Sequence, residues 1–545
     1  MQVVGSTRVV HGPVAHNPDG EEPDVSAGQA AAGPTFSEVV VEALSRYARR
    51  TAFVLGDRRL SYAQTAALVS QIQQVLAARG VARYGAVAAL SPNMPETWMA
   101  QIAAYLLGAR YTGLHPLGSV GDHAHICRDA DVEALIVHPA YADRAAAMLQ
   151  ESPGVRHVLT LGPAEIGEDL LALCQQHAPR SLDPGPAEAE DLAWLTYTGG
   201  TTGLPKGVML SQRAMAAETL SVAAGWSLPD TPRYLAPAPI THAGGLPIVP
   251  VLTRGGTVVL HQGFDPEHYL RTVQDERINY GFLVPTMIYA LLDAADPHDY
   301  DLTSLETIVY GSAPTSPPRL VEALEALGPV LMQGYGQTES LGMATMLRKD
   351  EHDPVLRPDL LSSCGRPVHG VTVQALDNDG QVAGPGQVGE LCLRSPVVMS
   401  GYWKQPELTA DALRGGWLRT GDLTVRDDEG FFHLVDRKKD LIISGGFNIY
   451  PREIEDVLAR DPHVGSVAVV GMPDPKWGEA VVAFVVPREG QPVDEAELIQ
   501  LVRKRKGPHM TPKRIEVVDA LPMTALGKID KKALRLAPAT TAQVS

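Results

Sequence analysis

From Phe36 onward, apolar positions recur at helical spacing through Val39 to Tyr47 and Ala63 to Ala78, which predicts helices with one buried face. The unbroken apolar run Ala86 to Leu90 predicts a buried strand. Tyr105 to Gly113, Val132 to Val137, Val155 to Leu161 and Val258 to Leu260 continue the alternation, the signature of an α/β chain with layered sheets. The longest uncharged run, Tyr234 to Thr253, is long enough to suggest a membrane span. Its prolines and glycines interrupt any such helix, so a buried strand followed by a loop is expected instead. No internal repeat is present.

The pattern changes near Asp436 to Asp440, where the charge cluster DRKKD precedes a glycine pair and then a helix expected to open with NIYPREIEDVL, from Asn448. Beyond it, Val464 to Gly471, Ala480 to Val486 and Arg514 to Val518 read as strands, and Asp494 to Lys504 as an amphipathic helix, which suggests a small α+β domain. The expected division is a flexible tail at 1–34, a large N-terminal domain of layered β-sheets flanked by helices at 35–437, and a small C-terminal domain at 438–545.

Composition narrows the function. A chain of 545 residues with 45% hydrophobic and 20% charged residues holds ample material for a buried core and is not disordered. The net charge of −17 repels a phosphate backbone or an anionic lipid surface, so nucleic acid and membrane partners are disfavoured. Any anionic ligand must be gripped locally. The cysteines, Cys127, Cys174, Cys364 and Cys392, lie far apart without a CxxC pair, which argues against a disulfide framework or structural zinc and fits a reducing cytoplasm. The tail lacks the apolar block of a secretory signal.

The most informative segment is Leu195 to Ser211, LTYTGGTTGLPKGVMLS. A strand-like run enters the loop Thr198, Gly199, Gly200, Thr201, Thr202, Gly203, and another leaves after Lys206. Glycines let backbone amides surround an anion, and clustered threonine hydroxyls add donors that can reach a Mg²⁺, so triphosphate is the natural guest. A Walker loop is excluded, because the single Gly-Lys pair, Gly527-Lys528, is followed by Ile529.

This block resembles the adenylate-forming superfamily of acyl-CoA synthetases, adenylation domains and luciferases, in the form found in its acyl-CoA ligase branch, and the resemblance extends from about residue 36 to 537. It implies that the Thr198 to Gly203 loop and Lys206 bind the nucleotide phosphates, with Thr201 also a metal ligand. In GYGQTE, Gly334 to Glu339, the resemblance implies that Tyr335 stacks on adenine, Thr338 contacts phosphate and Glu339 binds Mg²⁺, while Gly334, Gly336 and Gln337 complete the loop. Gly311, Ser312, Ala313 and Pro314 match the loop flanking the adenine. Within WLRTGDL, Asp422 resembles the carboxylate that accepts both ribose hydroxyls. In DRKKDLIISGGFNIYPREIE, Arg437 matches a ribose and phosphate contact, Lys439 the hinge position, and Gly445 and Gly446 a loop that swings to the site. Lys528, in LPMTALGKIDKK, matches the lysine that bridges the substrate carboxylate and the α-phosphate.

The resemblance implies an ATP-dependent acid:CoA ligase with a mobile C-terminal lid, using ATP, Mg²⁺ and coenzyme A, with Lys528, Thr198, Glu339 and His242 as the catalytic set. The acid pocket is expected along Pro239 to Gly245, Gly311 to Ala313 and Gln333 to Met343, with His242 gating the acid or lying near its carboxylate. Gly244, Gly245 and Gly342 leave room for an aryl, cyclic or medium-chain acid. The alternative is a stand-alone adenylating enzyme that passes the activated acid to a carrier-protein thiol or another nucleophile. A homodimer is left open.

Overall fold

The computed structural model describes residues 33–198, 204–438, 440–444, 446–488, 491–524 and 529–536. Gly199, Gly200, Thr201, Thr202, Gly203, Lys439, Gly445 and Lys528 lie outside the described residues, as does the tail at 1–32.

Among the described residues, nine strands form one sheet and eight another. The first runs, edge to edge, through Arg366–Pro367, Thr345–Leu347, Leu331–Tyr335, Thr307–Gly311, Tyr280–Leu283, Arg233–Ala236, Thr257–Leu260, Thr51–Leu55 and Arg58–Ser61. Its centre is parallel and its edges antiparallel. Strands buried on both faces have no polar side to show, and Thr307–Gly311 is buried throughout, as is Ala86–Leu90 in the second sheet. Helices cover the faces. Phe36–Arg46 and Tyr62–Ala78 each start with a reciprocal cap, Thr35 with Glu38 and Ser61 with Gln64, which satisfies amides left free at the first turn. A four-stranded antiparallel sheet over 372–437 follows.

The C-terminal strands form a separate sheet, built on the long hairpin Val464–Asp474 and Gly478–Pro487 with Ile442–Ser444, Phe447–Ile449 and Arg514–Val517 beside it. Its two faces bury their own clusters, one around Ile454, Val469, Val481 and Val502, the other around Val470, Phe484 and Leu534. The chain is therefore an α/β protein with a large N-terminal sheet domain and a small C-terminal domain. Among the described residues, no helix is long and apolar enough to cross a membrane.

Three local expectations are corrected. Tyr105 to Gly113 divides into the end of a helix at Leu106 and a strand from Arg110, with Gly108 at φ +70° making the turn between them. Tyr234 to Thr253 ends as the helix Ile248–Thr253 rather than a loop. An all-apolar run does not distinguish strand from buried helix, and Pro250 sits in the first turn, where its missing N–H costs no helical hydrogen bond. The helix expected to open at Asn448 starts at Pro451, because Phe447–Ile449 pairs with Ile442–Ser444 as a strand.

Candidate active site

The site gathers at the carboxyl ends of the parallel strands, where open α/β sheets bind ligands. Thr307–Gly311 and Leu331–Tyr335 run side by side and end with Gly311 opposite Gly334. The approach there is tight: a Cβ on Gly311 would lie 2.2 Å from the Gly334 carbonyl oxygen. Ser312 follows at φ +70° and opens the loop through Ala313 and Pro314. The loop after the second strand folds back on itself, so that a Cβ on Gly336 would lie 2.2 Å from the Gly342 backbone. Inside that fold, Thr338–Ser340 form a single helical turn, and the Gln337 carbonyl accepts the Ser340 amide.

Two polar groups result. In the first, the Tyr335 hydroxyl donates to Asp422 Oδ2 at 2.6 Å, and Arg437 Nε lies 3.2 Å from Asp422 Oδ1. Asp422 and Arg437 face each other across adjacent strands, Leu418–Arg426 and Phe432–Arg437, which fixes the pair. Asp422 is only 7% exposed. Burial, then the adjacent Asp422 carboxylate, pushes the Tyr335 phenol well above its ordinary range, so it remains a donor.

In the second group, the Tyr402 hydroxyl donates to Glu339 Oε1 at 2.8 Å, and Lys206 Nζ lies 3.5 Å from the same oxygen. The Lys206 ammonium also sits 3.8 Å from the centre of the Tyr402 ring, within cation–π distance. Thr198 pairs with Lys206 across the hairpin, so both flanks of the glycine loop stand at the site. Thr198 Oγ1 is buried and has no partner among the described residues. An open hydroxyl beside an ammonium and a buried carboxylate suits a phosphate with its counter-ion. A Mg²⁺ fits this donor set through Glu339, since that ion typically takes one or two carboxylates and completes its shell with phosphates and water. Among the described residues, no cluster of three His, Cys, Asp or Glu side chains would hold a metal without such a ligand.

His242 packs edge-on against His115, with ring centres 5.1 Å apart, and its Nδ1 lies 3.0 Å from Thr241 Oγ1. Burial, then His115, lowers its pKa to about 3, and burial lowers that of His115 to about 4. Both imidazoles are neutral near pH 7 and offer hydrogen bonds rather than positive charge.

Beside them lies a cavity bordered by Trp98, Trp194, Met215, Glu218, Leu246 and Leu341. Ile240 and Gly245 also line it, so it overlaps the acid pocket expected from the sequence and adds the helix Gln212–Gly225 as a wall. A Cβ on Gly244 would lie 2.5 Å from the Ala238 carbonyl oxygen and one on Gly245 2.1 Å from that of Ile240, so the turn itself also requires glycine at both places. Tyr402, His115 and Glu218 escaped sequence reasoning, because each is a lone residue without diagnostic spacing.

This fold and site define a class of enzyme. The family model for AMP-binding enzymes matches residues 40–403, that for the AMP-binding enzyme C-terminal domain matches 453–528, and the chain belongs to this family. It is 42% identical to a medium/long-chain-fatty-acid–CoA ligase, FadD8, of Mycobacterium tuberculosis, over 93% of this chain and 91% of that protein. It is 37% identical to a feruloyl-CoA synthase of an Amycolatopsis species, over 89% of this chain and 95% of that one. Among solved structures, the amide bond synthetase McbA of Marinactinospora thermotolerans superposes with a TM-score of 0.85 at 36% identity, covering 92% of this chain and 99% of that one.

Proposed function

We propose that the protein is an ATP-dependent acid:CoA ligase. It joins a carboxylic acid to AMP with release of pyrophosphate, then transfers the acyl group to coenzyme A. The observation that carries this reading is the convergence of Asp422, Tyr335 and Arg437 in one group and Glu339, Tyr402 and Lys206 in another at adjoining strand ends.

A carboxylate is a poor acylating agent because oxide would have to leave. In the first step, one of its oxygens bonds to the α-phosphorus as the bond to the bridging oxygen breaks and pyrophosphate departs with the electron pair. In the second, the thiol sulfur bonds to the acyl carbon, losing its proton, and the carbon–oxygen bond to AMP breaks. No protein nucleophile is needed, so positioning and electrostatics do most of the work. Asp422 keeps lone pairs beyond those used by Tyr335 and Arg437 and accepts the ribose hydroxyls. The Tyr335 ring, tied down by its hydroxyl, backs the adenine. Thr198 and Lys206 hold phosphate oxygens, joined by the glycine loop 199–203. Glu339, with Thr201, would hold a Mg²⁺ that would neutralise charge on the phosphates. Lys528 supplies positive charge at the reacting oxygens in the first step, and a swing of the C-terminal domain about Lys439 then brings the Gly445-Gly446 loop toward the thiol.

The substrate is an aryl, cyclic or medium-chain acid, a range in keeping with what the fatty-acid and feruloyl relatives are named for. Pyrophosphate release across such acids, with and without coenzyme A, tests the reading. Release coupled to thioester formation is expected, and ADP formation would contradict it. The likeness to an amide bond synthetase favours one second reading, in which another nucleophile takes the acyl group. Thioester yield with coenzyme A, set against product yield with amines or a carrier protein, separates the two.

A further inference from the structure

The cavity beside His242 is mostly apolar, and its lining holds one carboxyl group. Glu218, on the helix Gln212–Gly225, is 3% exposed, and its Oε1 has no hydrogen-bond partner among the described residues. The sole partner of Oε2 among them is the Thr219 hydroxyl at a long 3.5 Å, and that same hydroxyl also donates to the Met215 carbonyl at 3.1 Å. A buried carboxyl left this open is costly, and a leucine or methionine would fill the space without loss. A second open polar atom belongs to another lining residue: the indole Nε1 of Trp194 is buried without a partner among the described residues. An amide side chain in the lining, Gln101, is already engaged, donating to the Tyr105 hydroxyl at 2.8 Å.

An open acceptor and an open donor in the lining of a mostly apolar cavity match one small group that can both give and take a hydrogen bond. We propose that Glu218, with Trp194, selects acids that carry a hydroxyl at the end remote from the reacting carboxylate. This rests on the reading that the cavity receives the acid. Burial pushes the Glu218 carboxyl well above the usual carboxylate range, so it faces such a hydroxyl as a neutral group and needs no cationic substrate. Sites built to hydrogen-bond a hydroxyl reject the analogue lacking it far more strongly than apolar pockets reject an added one, because the wall's polar atoms are then left unpaired.

The test uses matched pairs of acids, 3-(4-hydroxyphenyl)propanoate against 3-phenylpropanoate and 8-hydroxyoctanoate against octanoate, with the full chain and its Glu218→Leu and Glu218→Gln variants. Two readouts are taken: pyrophosphate release, and binding followed by the fluorescence of Trp98 and Trp194, which border the cavity. The wild type is expected to prefer a hydroxylated member by about tenfold or more in both readouts. Glu218→Leu should abolish or invert that preference while melting no lower than wild type, and Glu218→Gln should keep part of it. Equal treatment of both pairs by the wild type overturns the inference. So does an equal loss on both members in Glu218→Leu, which would make Glu218 a structural residue. Selective binding without pyrophosphate release would instead contradict the proposed reaction and leave the role of Glu218 supported.

Discussion

At the residue scale, the site depends on a few long-range pairings. Asp422 joins Tyr335 and Arg437, and removing its charge takes away the acceptor proposed for the ribose along with the partner of Arg437. Hydrogen bonds to charged groups contribute about 1.5–3 kcal/mol, so Asp422→Asn should raise the KM for ATP by roughly 10- to 100-fold, with little change in Tm, as steady-state kinetics would show. The buried histidines make a different prediction. His115 and His242 have pKa values near 4 and 3 in the folded chain against 6.5 when free, so between those limits the unfolded chain binds more protons. Their contribution to stability is complete above about pH 6.5 and drains away as the pH falls towards 4. His115→Gln should therefore flatten the fall of Tm between pH 7 and pH 4.5, and an unchanged slope would contradict the burial argument. Thr198, Lys206, Glu339, Asp422 and Arg437, which the fold brings into these two groups, could be singled out in the sequence as candidates because each stands in a block of glycines and polar residues whose order is itself informative. Tyr402 was not, since its contact with Glu339 spans 63 residues and no spacing rule connects them.

At the scale of elements, the loops after Thr307–Gly311 and Leu331–Tyr335 are shaped by backbone meeting backbone. A methyl group on Gly336 has no flexible side chain to displace, only the Gly342 peptide. Gly336→Ala should cost about 1–3 kcal/mol of stability and reduce adenylation with it, as denaturant melts and pyrophosphate release would record. Gly121 offers the contrast: its added Cβ would meet nothing closer than Ser119 Oγ at 4.0 Å, within the helix Val120–Asp129. Gly121→Ala should be neutral or stabilise by up to about 1 kcal/mol. The strand Ala86–Leu90 was visible as an apolar run, because a strand buried on both faces leaves no polar side to confuse the reading, while the run Val464 to Gly471 showed all but the last three residues of the strand Val464–Asp474. Ile248–Thr253 was missed for the same reason in reverse: a helix buried on every side has no amphipathic period.

At the scale of the whole molecule, the small domain carries its own core, and an exposed ion pair is among its contacts with the large one. Arg488 lies 3.2 Å from Glu322 on the helix Pro317–Leu327, and both side chains are about one-third exposed. Such a pair contributes about 0–1 kcal/mol, little enough to be broken and remade during a catalytic cycle. If the C-terminal domain swings as proposed, Arg488→Ala should leave Tm nearly unchanged while altering the ratio of adenylation to thioester formation in single-turnover assays. Equal effects on both steps would tie the contact to simple stability. The charge shift at Asp436 to Asp440 is where the sequence suggests that a second domain begins, yet no local pattern reports which surfaces the two domains share.

The most direct test of the central claim follows oxygen. With an acid labelled with ¹⁸O in both carboxylate positions, ATP and coenzyme A, the account predicts that each AMP released carries one ¹⁸O in its phosphate, in step with one pyrophosphate and one acyl-CoA. Label appearing in inorganic phosphate alongside ADP, or AMP free of label, would contradict it.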